Sequence, residues 1–439
     1  MKKICLAFLL LLSGHVFSQG VRSLGMGGVV LPGPWASTYN PAYAAYPEDK
    51  FGPSNGFAVP LGLINLTINP MISPIYYWTN YNKFIDNFDF VSFIDQLAHP
   101  YEFVFNPPKS PDEIIFKYDR SGIHITDGSG NPLRFNYSQK KNSANSLPWP
   151  TPFFEISIPT GIDGFDLHFG AYASTKGVGL AASDNLLLAI SHGSFQPDSN
   201  YSLTASAAAE AGVSGRLSYA GSLPGVLDHS SALYVGIQAE GYYSLYSGSV
   251  TARSYMDTDQ KGIPKNIFYS LETYLSYPGL GSGYGGSIDL GIVAETLSGT
   301  YGLGLRSLIG YQGWSGVHSA LNNDGTLTEN NVRNNKFIFN PQIFFNGAYS
   351  QTLPAGGQAV FGIDASYFKR SFSAHAGIEY QLAIFRLRAG LGYEDGFKLG
   401  LGGGIALANF GIDAALTSHQ DPLSDQLIYG LAASISWHF

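Results

Sequence analysis

The strongest constraint on this chain is a two-residue alternation near its C-terminus. Phe385, Leu387, Ala389, Leu391 and Tyr393 alternate with Arg386, Arg388, Gly390, Gly392 and Glu394. A tight turn at Glu394-Asp395-Gly396 follows. Then Phe397, Leu399, Leu401, Gly403, Ile405 and Leu407 alternate with Lys398, Gly400, Gly402 and Gly404. Past Ala408-Asn409 the pattern resumes with Phe410, Ile412, Ala414 and Leu416. Side chains on a strand alternate between its two faces, so each segment has one apolar face and one face of glycine and charge. A water-soluble sandwich would turn the apolar face inward and cover its outside with Lys, Glu and Thr. Glycines on the polar face instead suit a crowded interior, which predicts that the apolar face points outward, toward lipid.

The same alternation recurs in "GFDLHFGAY", "LYVGIQAEGYYSLY", "SIDLGI" and "AVFGIDASYF". About sixteen candidate strands lie between Phe57 and Phe439, the weakest at 70–78 and 177–190. The fold class expected is all-β: a transmembrane antiparallel up-and-down β-barrel of about 14 strands (range 12–16). Composition agrees. Charged residues make up 13% of the chain, against roughly 25% in soluble domains. Aromatics reach 14%, with 53 glycines, and no run of 18 apolar residues follows the leader, so no spanning helix is available. Aromatic residues crowd the strand ends, where interfacial girdles sit.

Residues 1–18 read as a cleaved Sec-type signal peptide: Lys2 and Lys3, an apolar stretch from Ile4 to Leu12, then Val16 and Ser18 ahead of the cut. Cys5, the chain's one cysteine, falls inside that leader, so no disulfide framework is expected. The formal charge is −8, and losing Lys2 and Lys3 makes it more negative, which disfavours nucleic acid as a partner.

Three stretches interrupt the pattern. Residues 79–150 read as an insertion: a short helix carrying Phe90, Phe93, Ile94 and Leu97, then a meander through "EIIFKYD", "GIHITD" and "PLRFNYS". Residues 253–283 and 314–335 read as long polar loops. A protein partner, if there is one, is expected at 79–150 or 253–283. The chain ends with Tyr429, Leu431, Ile435, Trp437 and Phe439 on one strand face. That ending resembles the signal read by the outer-membrane barrel-assembly machinery, since an edge strand can be templated by pairing.

The mature front end, "RSLGMGGVVLPGPWASTYNPAYAAYP", has no period of 2 or 3.6. Its glycines, prolines and low charge suit a segment packed inside a barrel, with Pro32, Pro34 and Pro41 holding extended backbone. Gly25, Gly27 and Gly28, followed by Asn40, Pro41 and Ala42, resemble the N-terminus of the FadL-like outer membrane transporters and their PorV-like relatives. The middle, "VVLPGPWA", departs from the family's acidic, alanine-rich run. The resemblance implies a plug at 19–50 inside the lumen of a barrel spanning 51–439. It further implies transport of hydrophobic small molecules such as long-chain fatty acids, with plug displacement and lateral exit. Candidate wall breaks are Pro159-Thr160-Gly161 and Pro341, because proline cannot donate to a ladder. The PorV-like alternative is a non-transporting component or scaffold of a secretion or surface-assembly system.

No enzyme, cofactor or metal site is expected. "GSGYGG" at 281–286 precedes a strand rather than joining a strand to a helix, the ten histidines are scattered, and no G-x-S-x-G is present. Glu155, Asp166 and His168 are expected near one another on the interior face, as part of a polar network.

Overall fold

The computed structural model describes residues 18–47, 51, 57–59, 61–69, 102–104, 115–119, 122–126, 142–144, 152–192, 194–223, 231–297, 299–338, 341–353, 356–368, 371–394, 396–407, 410–420 and 427–437. The leader before Ser18, the expected helix around Phe90–Leu97 and the terminal Phe439 lie outside them.

Among the described residues the chain is all-β, with 18 strands in one sheet. Short strands come first: β1 (Phe57–Val59), β2 (Phe103–Val104), a separate hairpin of β3 (Ile115–Asp119) and β4 (Gly122–Thr126), and β5 (Asn142–Ala144). The wall then runs through β6 (Pro152–Pro159), β7 (Phe165–Ala182), β8 (Asn200–Leu223), β9 (Ala232–Thr258), β10 (Pro264–Ser276), β11 (Gly283–Glu295) and β12 (Gly299–Leu321). It continues through β13 (Leu327–Ile338), β14 (Gln342–Thr352), β15 (Gln358–Phe368), β16 (Ser371–Leu382), β17 (Phe385–Glu394), β18 (Phe397–Leu407), β19 (Phe410–Gln420) and β20 (Leu427–Trp437). Every ladder is antiparallel, and beyond β20 the wall is continued by β1.

Two of these pairs are single strands interrupted once. β10 and β11 lie end to end along β9, and β13 and β14 lie end to end along β12. The stretches 253–283 and 314–335, expected to be loops, are therefore mostly strand. They form two tall hairpins, β9–β10 and β12–β13, joined where Leu271–Leu275 pair with Leu321–Val317. Polar sequence hid them: β13 is almost wholly polar from Thr328 to Lys336, and the exposed Tyr269, Leu271 and Leu275 of β10 stand among polar residues. After β1 ends at Val59 a helix, Leu61–Ile68, follows, and the weak segment 70–78 lies outside the described residues. The weak segment 177–190 is split between the end of β7 and the helix Asp184–His192.

The wall is inside out relative to a soluble protein. Leu387 and Leu391 are 62% and 60% exposed, whereas Arg388 between them is 4% exposed. The sheet is curled, because one short N-terminal segment touches β9, β11, β12 and β15–β18 on their polar face. Tyr367 faces Phe372 across a ladder, and Tyr393 meets Phe397 edge to face at 5.6 Å, on the outward side near strand ends.

Candidate functional site

The concave face is occupied by residues 20–46. This segment is not extended throughout. Ser18–Gly25 is α-helical, and Pro34 and Pro41 each open a single 3₁₀ turn, Pro34–Thr38 and Pro41–Ala45. Proline suits a first helical position, where its missing N–H has no partner to lose and its φ is already set. Asn40 caps the second turn. Its Oδ1 accepts the Ala42 N–H at 3.0 Å, and its Nδ2 donates to the Ile292 carbonyl at 3.0 Å.

The segment seats where the wall carries no side chains. Gly27 and Gly28 have φ of +75° and +103°, which favours glycine. A Cβ on Gly28 would lie 2.7 Å from His375 Cδ2, and one on Gly25 would lie 3.1 Å from Gly402 Cα. The complement holds on the wall. A side chain at Gly236 would strike Ala42, one at Gly304 the Tyr39 carbonyl, one at Gly390 the Met26 carbonyl, and one at Gly400 the Leu24 carbonyl. Met26, Val29, Leu31, Ala36, Ala42, Tyr43 and Tyr46 form one buried cluster with Tyr234, Val293, Ala348 and Val360 of the wall.

Polar anchors fix the segment at several points. Arg22 grips Glu379 with both arms, Nε to Oε2 at 3.0 Å and Nη2 to Oε1 at 2.6 Å. Arg388 bridges Glu379 and Asp413 behind it. The Val30 N–H donates to Asp364 Oδ2 at 2.7 Å, and the Val30 carbonyl accepts from Asn346 Nδ2 at 3.0 Å. Tyr43 Oη donates to Asn346 Oδ1 at 2.6 Å, and Tyr46 Oη meets Thr300 Oγ1 at 2.7 Å. Burial pushes the Tyr43 phenol well above its ordinary range, so it stays protonated and remains a donor. Tyr39 stacks on Phe344 at 4.8 Å, and the Arg306 guanidinium carbon lies 5.7 Å from the centre of the Tyr39 ring.

Of the residues singled out from sequence, Gly25, Gly27, Gly28, Asn40, Pro41 and Ala42 all lie in this contact. Arg22 and Val30, and the wall residues Asn346, Asp364, His375 and Glu379, escaped sequence reasoning, as did the partners of Tyr43 and Tyr46. Their partners are fixed by ladder register, which a single sequence does not reveal. Glycines at alternate positions of the polar faces were the one legible trace of the seat.

At the other end, Tyr429 and Ile435 of β20 point outward, 51% and 45% exposed, and Leu431 is half-buried. Trp437 closes the strand opposite Phe410. β20 is not a free edge in the folded wall, since β19 pairs with one side of it and β1 and β2 with the other. Glu155 and His168 take neighbouring ladder positions, opposite Gly170 and Ser157. Among the described residues no group of three His, Cys, Asp or Glu could hold a metal ion. Pro159-Thr160-Gly161 is the turn between β6 and β7, an ordinary strand end rather than a break. Pro341 sits directly where the strand along β12 is interrupted.

No family model matches the chain, and no curated protein matches it. Among solved structures it is similar to the P. putida toluene transporter TodX at 14% identity, covering 63% of this chain and 91% of that one, with a TM-score of 0.27. It is similar to the transport unit of the autotransporter AIDA-I from Escherichia coli at 9% identity, covering 65% and 93%, with a TM-score of 0.27. A triple mutant of the Rhodopseudomonas blastica porin follows at 10% identity, covering 52% and 91%, with a TM-score of 0.22. Likenesses this distant carry no argument, and the antiparallel all-β class rests on the ladders themselves.

Proposed function

We propose that this chain is an outer-membrane channel for hydrophobic small molecules, long-chain fatty acids among them, in which residues 19–50 form a hatch. The observation that carries the reading is the seat of residues 20–46 on a glycine-cleared track of the concave face. The outward apolar face supports the membrane location. Leaving a Leu or Phe side chain in water rather than buried costs about 1.5–3 kcal/mol, so rows of them call for an apolar phase outside. Tyr429, Leu431, Ile435, Trp437 and Phe439 serve in this reading as the assembly signal.

Exit of cargo is proposed through the wall beside Pro341. Three features support it. The β11–β12 register shifts between Ile288 and Leu290. Ser307 takes a φ of +49°, with its N–H held by Asp289 Oδ1 at 2.6 Å. Next to it Ile309 is 67% exposed. The concave face nearby carries Glu210, Arg216, Gln238, Glu240 and Asp289, a poor path for an apolar compound. The test is uptake of labelled fatty acid or hydrocarbon by a deletion strain carrying the intact chain or one lacking residues 19–47. Equal uptake with and without the chain, once it is located in the outer membrane, overturns the reading.

The second reading, a scaffold in a secretion or surface-assembly system, is favoured by the tall hairpins β9–β10 and β12–β13, β13 running beyond the ladder of β14 with β15. A partner that co-purifies in fixed stoichiometry and is lost on trimming those hairpins would support it.

A further inference from the structure

Asp364 has two tasks. Its Oδ2 accepts the Val30 N–H of the N-terminal segment at 2.7 Å, and its Oδ1 lies 2.7 Å from His375 Nδ1. The other ring nitrogen of His375 lies 2.9 Å from Glu394 Oε1, and the second oxygen of Glu394 pairs with Lys398 Nζ. Both ring nitrogens thus face carboxylates. Satisfying both at once requires the imidazolium, in which both donate. The ring is trapped as well, since a Cβ on Gly28 or on Gly392 would press into it. The chain of groups also runs along a gradient of exposure. The Asp364 and His375 side chains are 3% and 5% exposed, whereas that of Glu394 is 41% exposed. Glu394 ends β17 at the rim that also bears the tips of the β9–β10 and β12–β13 hairpins.

We propose that Glu394, His375 and Asp364 form a side-chain relay that couples the rim of the wall to Val30, with Lys398 holding its outer end. The three are positioning residues for the N-terminal segment. The inference rests on the hatch reading only in giving that coupling a purpose. The groups facing His375 are Asp364 from β15, Glu394 from β17 and, through Glu394, Lys398 from β18. Among the described residues, the N-terminal segment sets Gly28 against the ring, and its Tyr39 lies within electrostatic reach of both Asp364 and Glu394. Drawing Glu394 away from the imidazolium leaves Asp364 as its sole acceptor, so the trapped ring competes more strongly with the Val30 N–H for the Asp364 carboxylate and slackens the hold on Val30.

Cys5 is the chain's one cysteine, so C5S variants carrying Val30→Cys or Ala45→Cys each hold a single thiol. Maleimide labelling of the purified, folded barrel reads attachment of the segment at each place. Glu394→Gln and His375→Gln are expected to speed labelling at position 30 by roughly tenfold, the scale of a lost charge-assisted hydrogen bond, while leaving position 45 unchanged. Glu394→Asp is expected to restore most of the slow rate. An unchanged rate at position 30 overturns the relay. So does a parallel rise at position 45, which would mark a general loosening of the fold. The assay contains no cargo, so its failure is separable from failure of an uptake experiment.

Discussion

The guanidinium of Arg22 and the carboxylate of Glu379 meet in a two-bonded pair, although 357 residues separate them along the chain. Truncating one member of a buried, hydrogen-bonded charge pair costs on the order of 2–5 kcal/mol. Here Glu379 keeps Arg388, so Arg22→Ala is expected to weaken seating of the segment by about 2 kcal/mol. Hydrogen exchange at Gly25 and Met26 checks it: their amides should exchange faster while those of β16 and β17 do not.

The wall glycines make a sharper case. Gly390→Ala places a methyl into the Met26 carbonyl, and it should expel or displace the segment, because backbone on both sides leaves nothing to yield. Gly241→Ala on β9 is the control, since a Cβ there comes no nearer than 3.9 Å to the Gly285 carbonyl. Conductance of each variant in a planar bilayer separates them: G390A should pass ions more readily than the parent, and G241A should match it.

Asn40 has two roles that a substitution can divide. Asn40→Asp keeps the acceptor for the Ala42 N–H but loses the donor to Ile292, and sets a carboxylate beside that carbonyl in a site with no exposed surface. It should harm more than Asn40→Ala, which loses a cap worth about 0.5–2 kcal/mol. The order is read by limited proteolysis around Trp35. An aspartate that behaves like the parent would show that the Ile292 bond contributes nothing.

Outward positions test embedding in lipid by depth. Leu401→Arg, near the middle of β18, should destabilise the folded barrel by about 2–4 kcal/mol, and Phe397→Arg, at the strand start, by about 0–1 kcal/mol. Urea unfolding from vesicles gives both values. Equal and small effects would place this face in water.

The tip of the β9–β10 hairpin carries a pH-dependent contact. The backbone N–H groups of Ile263 and Lys261 donate to Asp259 Oδ1, each at 2.8 Å, and hold its carboxyl below the usual carboxylate range. A depressed carboxylate contributes stability above its unfolded pKa and loses it as pH falls through the folded value. Amide exchange at Lys261 and Ile263 should therefore accelerate on acidification past the ordinary aspartate range. Asp259→Asn should flatten that response.

Period-2 alternation made the wall legible, because each outward row, such as Leu387, Leu391 and Leu401, is set by the phase outside and needs no knowledge of any partner. The same logic failed at 253–283 and 314–335: β13 is almost wholly polar from Thr328 to Lys336, and in β10 the alternation of Tyr269, Leu271 and Leu275 is diluted by polar neighbours. It failed again at Pro34 and Pro41, where proline's fixed φ is as compatible with a 3₁₀ start as with extended chain; the second turn goes with the Asn40 cap on Ala42 and with Tyr43 and Tyr46 reaching Asn346 and Thr300 of the wall, none of them readable from one strand.

What the amino-acid order determined alone was therefore local: which segments are strands, which face is greasy, and where backbone is left bare by glycine. Pairing was decided only in three dimensions. Arg22 reaches Glu379, Val30 reaches Asp364 and Asn40 reaches Ile292 because the sheet curls and its registers bring them together, and register is a property of two strands at once.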